Sequence, residues 1–185
     1  MLFFFTGAVT KASSLPLFKK GASQNKRIAI IGTGPAGLAT ARALACLGYD
    51  VTMFEAQEKV GGLGRYGIVA FRLPNDVVEW EVDQIANLGV QIRTNTTVGE
   101  DVSVEDILNS FDAVVLAVGM GNVPDLRIEG ETLNGVHDAI NFIKETKLNN
   151  LTTDLVGKRV AVIGAGNTAI DGATSAIRLG ASNVK

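Results

Sequence analysis

The stretch Arg27-Ile28-Ala29-Ile30-Ile31-Gly32-Thr33-Gly34-Pro35-Ala36-Gly37 decides the reading of this chain. Ile28 to Ile31 is continuously apolar and largely β-branched, the texture of a strand covered on both faces. The run breaks at Gly32, and Pro35 to Leu47 reads as a helix. Pro35 suits the first helical turn, where its missing N–H has no intrahelical partner to lose. Gly48 then ends the helix as a left-handed cap, and Asp50 to Glu55 returns as a second strand. A lone Gly-x-Gly-x-x-Gly is weak evidence, but strand, glycine turn, helix, strand and terminal acid together make it specific for dinucleotide binding. Gly32 permits the tight turn, Gly34 lets a pyrophosphate approach the backbone, and Gly37 lets the helix pack on the strand. The exposed N–H groups and positive dipole end of the helix face the anion. Glu55 lies 23 residues beyond Gly32, where a carboxylate can accept bonds from both ribose hydroxyls.

Outward from this unit, short buried strands alternate with amphipathic helices, which predicts an α/β fold with a mostly parallel sheet. Glu55 to Ile68 is a loop dense in glycine, as a chain passing close to a bulky cofactor requires. Asn75 is expected to cap a helix whose Val78, Val82, Ile85 and Leu88 share one face, closed by Gly89. A strand follows at 90–93. Ser103 with Asp106 resembles a capping box opening a short helix, and Phe111 to Gly119 reads as another buried strand. The texture changes after Gly121, so a domain junction is expected near 120–125, with residues 26–121 in a first domain and 122–185 in a second. A helix at 137–147 leads to a second strand–glycine–helix unit, Arg159 to Leu179, capped by Gly180. The motif is thus present twice, beginning at Gly32 and Gly164.

Composition excludes several classes of chemistry. Hydrophobic residues make up 46% of the 185 and charged residues 19%, enough to bury a core. A net charge of -2 without basic runs argues against a nucleic-acid partner or an anionic membrane surface. One cysteine, Cys46, and one histidine, His137, allow no internal disulfide, no Cys/His zinc site and no four-thiolate iron–sulfur cluster. Cys46 reads as a reduced core residue and His137 as a surface or helix-capping one. Residues 1–25 carry the apolar run Leu2 to Phe5, then Lys11, Lys19 and Lys20, and no acid occurs before Asp50. The run is far shorter than the roughly 20 residues of a membrane span, and Met1 is followed directly by Leu2, without the charged segment of a signal peptide. An irregular lead-in and a cytoplasmic location are therefore expected.

Gly32 to Gly37, the terminal Glu55, Gly61-Gly62-Leu63, Phe71-Arg72-Leu73-Pro74 and a helix ending in Leu88-Gly89-Val90 together resemble the flavoprotein family of the glutamate synthase small subunit and dihydropyrimidine dehydrogenase. Val162-Ile163-Gly164-Ala165-Gly166-Asn167-Thr168-Ala169-Ile170-Asp171 is similar to that family's NAD(P) site. The resemblance covers roughly residues 15–185. It implies a Rossmann-like FAD-binding unit followed by a truncated second Rossmann-like unit that binds NAD or NADP. It further implies that FAD is held by Gly32, Gly34, Pro35, Ala36, Gly37, Glu55, Gly62, Leu63 and Arg72, with Val98 on the adenosine and Gly119 near the flavin. Gly164, Gly166, Asn167 and Thr168 would hold the NAD(P) pyrophosphate. The implied activity is hydride transfer from NAD(P)H to FAD, with electrons leaving for an iron–sulfur or flavin centre on a partner subunit. No catalytic side chain and no metal are needed for that step.

Phe71 onward and Ala173 to Ser175 lean toward the pyrimidine branch, while Arg65-Tyr66-Gly67 leans toward glutamate synthase. Val69 and Glu129 stand where the family usually has proline, and altered loop stiffness is expected there. The family's N-terminal iron–sulfur segment has no counterpart in these residues. The 23-residue offset applied to Gly164 falls at position 187, so the residue that chooses NAD or NADP, and the closing segment of the FAD domain, are expected outside this sequence. Two other readings follow. The chain could bind cofactor without turnover, or it could belong with monooxygenase-like or thioredoxin-reductase-like flavoproteins, the second lacking here its Cys-x-x-Cys pair.

Overall fold

A computed structural model describes residues 17–120, 123–148 and 155–185. The expectations for Leu2 to Phe5, Lys11, Gly121 and the start of the second domain at 122 fall outside the described residues. The described chain divides into two compact units: residues up to Arg65 with Leu73 to Met120, and Tyr66–Arg72 with Val123 onward. Tyr66–Arg72 therefore groups with the second unit, although its sequence neighbours belong to the first.

The first unit is built on a parallel sheet of β1 (Arg27–Ile31), β2 (Asp50–Phe54), β3 (Gln91–Arg93) and β4 (Ala113–Leu116), in the order β3-β2-β1-β4. The register pairs Ile31 with Phe54 on one side and with Leu116 on the other, so these strands end level beside the glycine turn. Strand alternation divides the core. Ile30, Val51 and Met53 pack with Leu38, Ala41 and Ala45 of α1 (Pro35–Cys46) and Ile85 of α3 (Asn75–Ala86), while Ala29 and Phe54 pack with Ile107 of α4 (Val104–Ser110). The sheet is thus covered on both faces, as the apolar run of β1 requires. Cys46 ends α1 as a free, half-buried thiol against the larger cluster. The described lead-in from Leu17 is irregular and is tied down by the Gly21 amide on the Ala45 carbonyl at 3.2 Å and the Gln24 amide on the Gly48 carbonyl at 2.9 Å.

Two local readings need correction. Pro74, in extended conformation, is the N-cap of α3, and the Asn75 side chain makes no cap bond. The ring of Pro74 fixes φ near the extended cap geometry, and Asn75 Oδ1 is left buried without a partner. The strand expected over 111–119 is only Ala113–Leu116, and Leu116 is 75% exposed. Among the described residues it pairs only with β1, so it stands there as an edge strand. Ser103 does cap α4, accepting from the Asp106 amide at 3.0 Å.

In the second unit α5 (Ala139–Lys147) is capped by Asp138, whose Oδ1 accepts from the Asn141 amide at 2.9 Å. His137 is an exposed residue outside that cap. The expected strand after Arg159 is the short β5 (Arg159–Val160), paired in parallel with β6 (Asn183–Val184), and α6 (Asn167–Arg178) follows the second glycine turn. Val69 is buried and its carbonyl accepts from the Arg72 amide at 3.0 Å.

Candidate functional site

The first glycine turn is tight because backbone crowds it from three directions. Gly32 has φ +100°, and its amide donates to the Phe54 carbonyl at 2.8 Å. A Cβ on Gly37 would lie 2.1 Å from the Gly32 carbonyl oxygen, so α1 rests directly on the turn. A Cβ on Gly62 would lie 2.6 Å from the Gly34 Cα, which shows how closely the Gly61–Gly62 loop passes; the Gly61 amide also donates to the Thr33 carbonyl at 3.2 Å. Beside Gly34 itself the space is open, with the nearest atom 4.0 Å from a built Cβ. Gly34 is the extended N-cap of α1, with Pro35 next and Ala36 exposed. The cradle is therefore backbone-lined and not filled by side chains, and it presents the orphan amides of a helix N-terminus. That is the shape and polarity a dinucleotide pyrophosphate requires, so the residues present fit the group.

Glu55 is turned into this cradle. It is 8% exposed; its Oε2 accepts from the Thr33 amide at 3.1 Å and from the Thr33 hydroxyl, and its Oε1 accepts from the Gln57 amide at 2.8 Å. These donors offset the cost of burying a carboxylate. Because the sheet order reverses between β1 and β4, the turn lies at the carboxyl edge of a topological switch point, where open α/β sheets bind ligands.

The other expected residues differ in how near they come. Gly119, at φ +68° and exposed, follows β4 two residues after Ala117, whose carbonyl oxygen would be 2.4 Å from a Cβ on Gly32. Leu63 opens the short α2 (Leu63–Tyr66) with a largely exposed side chain. Val98 is half-buried against the Ala29, Phe54 and Ile107 cluster, two residues beyond Thr96, whose amide donates to the Glu55 carbonyl at 2.8 Å. Arg72 has its Nε on Asp171 Oδ1 at 2.6 Å within the second unit.

In that unit the second glycine turn repeats the first. Gly164 has φ +128°, and Gly166 is the extended N-cap of α6 at φ -78°, ψ 174°, against -66° and 179° for Gly34. Gly164, Gly166, Asn167 and Thr168 are exposed, and nothing lies within 4 Å of a Cβ on Gly166. The donor set and the open space again fit a pyrophosphate. Ala169 stands where the first turn has Gly37, and its Cβ is 3.5 Å from a Cβ built on Gly164.

Sequence reasoning missed two contributors. The Thr33 hydroxyl occupies a variable position of the motif, and nothing in the spacing signals its bond to Glu55. Arg65, 6% exposed, lays its stem against Gly61 and donates from Nη1 to Glu79 Oε1 at 2.8 Å, anchoring the glycine loop to α3. An arginine in a glycine-rich loop reads as a surface residue until packing is known.

The pyridine nucleotide-disulphide oxidoreductase family matches residues 26–185. The chain is 42% identical over 164 residues to the NADP(+)-dependent formate dehydrogenase subunit beta of Moorella thermoacetica, covering 88% of this chain and 23% of that protein. It is 37% identical over 167 residues to the glutamate synthase (NADPH) small chain of Bacillus subtilis (strain 168), covering 86% and 34%. Among solved structures it is similar to Mycobacterium tuberculosis FprA in complex with NADPH, with TM-score 0.68 and 30% identity over 79% of this chain and 35% of that one. The chain thus spans less than half the length of these relatives.

Proposed function

This chain belongs to the pyridine nucleotide-disulphide oxidoreductase family, and on that footing we propose that it binds FAD at the Gly32–Gly37 turn and NADP at the Gly164–Thr168 turn. The work of these residues is binding and orientation. Ala36 and Gly37 offer amides to the FAD pyrophosphate, Glu55 accepts from the ribose, and Gly62, Leu63, Val98 and Gly119 border the cofactor; Arg72 enters the same proposal with its Nε held by Asp171. Gly164, Gly166, Asn167 and Thr168 take the second pyrophosphate. The bound cofactors supply the hydride chemistry. The observation that carries this reading is Glu55 turned into an open, backbone-lined glycine turn.

The activity we infer is hydride transfer from NADPH to FAD, with electrons passing to an iron–sulfur or flavin centre on a partner subunit. The formate dehydrogenase and glutamate synthase relatives support NADPH as the nucleotide by their names. Reduction of a pyrimidine by a partner is the finer reading that Phe71 to Pro74 and Ala173 to Ser175 suggested. Those residues have local explanations in packing: the Phe71 ring centroid lies 4.0 Å from the Arg178 guanidinium carbon, Arg72 pairs with Asp171, and Ser175 is buried in α6. A glutamate synthase type of acceptor is therefore equally compatible. Binding without turnover is the second reading, favoured by the exposure of Gly164 to Thr168.

Purified chain incubated with FAD and freed of excess is expected to show the visible band of oxidised flavin, bleached by NADPH under anaerobic conditions. Colour without bleaching would support binding alone. A colourless protein would overturn the FAD site.

A further inference from the structure

Glu55 is nearly saturated by protein donors alone. A carboxylate offers about four lone-pair sites, two on each oxygen. Oε2 already accepts from the Thr33 amide at 3.1 Å and from the Thr33 hydroxyl, and Oε1 accepts from the Gln57 amide at 2.8 Å. One site remains, on Oε1, whereas a ribose diol brings two hydroxyl donors. One of the three protein donors must therefore withdraw. The Thr33 amide is fixed, since its residue is fully buried and its neighbouring groups are engaged: the Gly32 amide on Phe54 and the Thr33 carbonyl on Gly61. The Thr33 hydroxyl alone can leave by rotation about χ1 without moving backbone.

We propose that the Thr33 hydroxyl is a placeholder, satisfying Glu55 Oε2 in the empty protein and ceding that position to a ribose hydroxyl when FAD binds. The inference rests on the FAD reading of this turn and adds to it a residue that competes with the ligand. The second glycine turn supplies an internal contrast. Ala165 stands in the position of Thr33 in a turn of matching N-cap geometry, so the backbone accepts alanine there. Removing the Thr33 hydroxyl leaves Oε2 short of a donor in the empty protein and changes little in the loaded one. Affinity should consequently rise, the opposite of what loss of an ordinary positioning contact would cause.

The test compares flavin-free wild type, Thr33→Ala and Thr33→Ser by calorimetric titration with FAD and by thermal unfolding with and without it. Thr33→Ala is expected to bind FAD roughly five- to tenfold more tightly, to melt below wild type when empty, and to lose that deficit when saturated. Thr33→Ser, which keeps the hydroxyl, should match wild type. Equal or weaker binding by folded Thr33→Ala overturns the inference while leaving the FAD site standing; failure of wild type to bind FAD overturns both. A crystal structure of the FAD-bound wild type tests the same point even if Thr33→Ala does not fold. A ribose hydroxyl on Oε2 with the Thr33 hydroxyl beyond about 3.5 Å supports it, and the hydroxyl still on Oε2 overturns it.

Discussion

At the scale of single residues, the glycines of the first turn separate into those the fold needs and those the ligand needs. Gly37→Ala places a Cβ 2.1 Å from the Gly32 carbonyl oxygen, so α1 must shift. The ligand-free protein should lose about 1–3 kcal/mol in denaturant unfolding. Gly34→Ala meets nothing closer than 4.0 Å; it should fold like wild type and yet lose FAD affinity, because the added methyl projects into the cradle. Equal unfolding midpoints for the two variants would contradict this division. Glu55→Gln keeps the shape but replaces a charged acceptor by an amide, and FAD titration should weaken by roughly ten- to a hundredfold. Glu55 and the glycines were legible in the sequence because each must satisfy a rigid backbone demand at fixed spacing. Thr33 was not, since its hydroxyl meets Glu55 only through the pairing of β1 with β2.

At the scale of elements, α3 carries a buried carboxyl that its amphipathic pattern did not announce. Glu81 is 8% exposed, and its Oε1 has no partner. It lines a cavity with Leu38, Ala39 and Arg42 of α1, Trp80, Gln84 and Ile85 of α3, and Leu17 and Phe18 of the lead-in. Arg42 is the other charged residue of that lining, and its guanidinium carbon lies 5.0 Å from the Phe18 ring centroid. Burial pushes the Glu81 carboxyl up from 4.5 to about 7. A folded-state value above the unfolded one means that its contribution to stability is fully present below about pH 4.5 and is lost as pH rises to about 7. Glu81→Gln should remove this slope and be more stable than wild type at pH 8 by roughly 2–3 kcal/mol. Trp80 is the only tryptophan in the chain and adjoins the group, so its emission should titrate near neutrality in wild type and stay flat in the variant. A sequence reading of α3 finds the Val78, Val82 and Ile85 face, but not which polar neighbour the lead-in covers.

At the scale of the whole molecule, two turns of like geometry imply two separable ligand footprints. Hydrogen exchange with FAD should protect the amides of Gly34 and of Ala36 to Leu38, and with NADP+ amides at Gly166 to Ile170. Protection of the first turn by NADP+ alone would overturn the assignment of the two sites. FAD at a hundred times its Kd should stabilise the unit it binds by about 2.7 kcal/mol. The α/β class, the duplicated strand–glycine–helix motif and the acid that faces the first of them follow directly from the order of the amino acids. Those features are written in local periodicity and in backbone conformations that few residues tolerate. Packing between distant segments makes β4 an edge strand among the described residues, groups Tyr66–Arg72 with the second unit and sets Arg72 on Asp171, and brings Glu55 to the turn already engaged by Thr33. Each of these depends on which distant segments meet, and chain order alone does not encode that meeting.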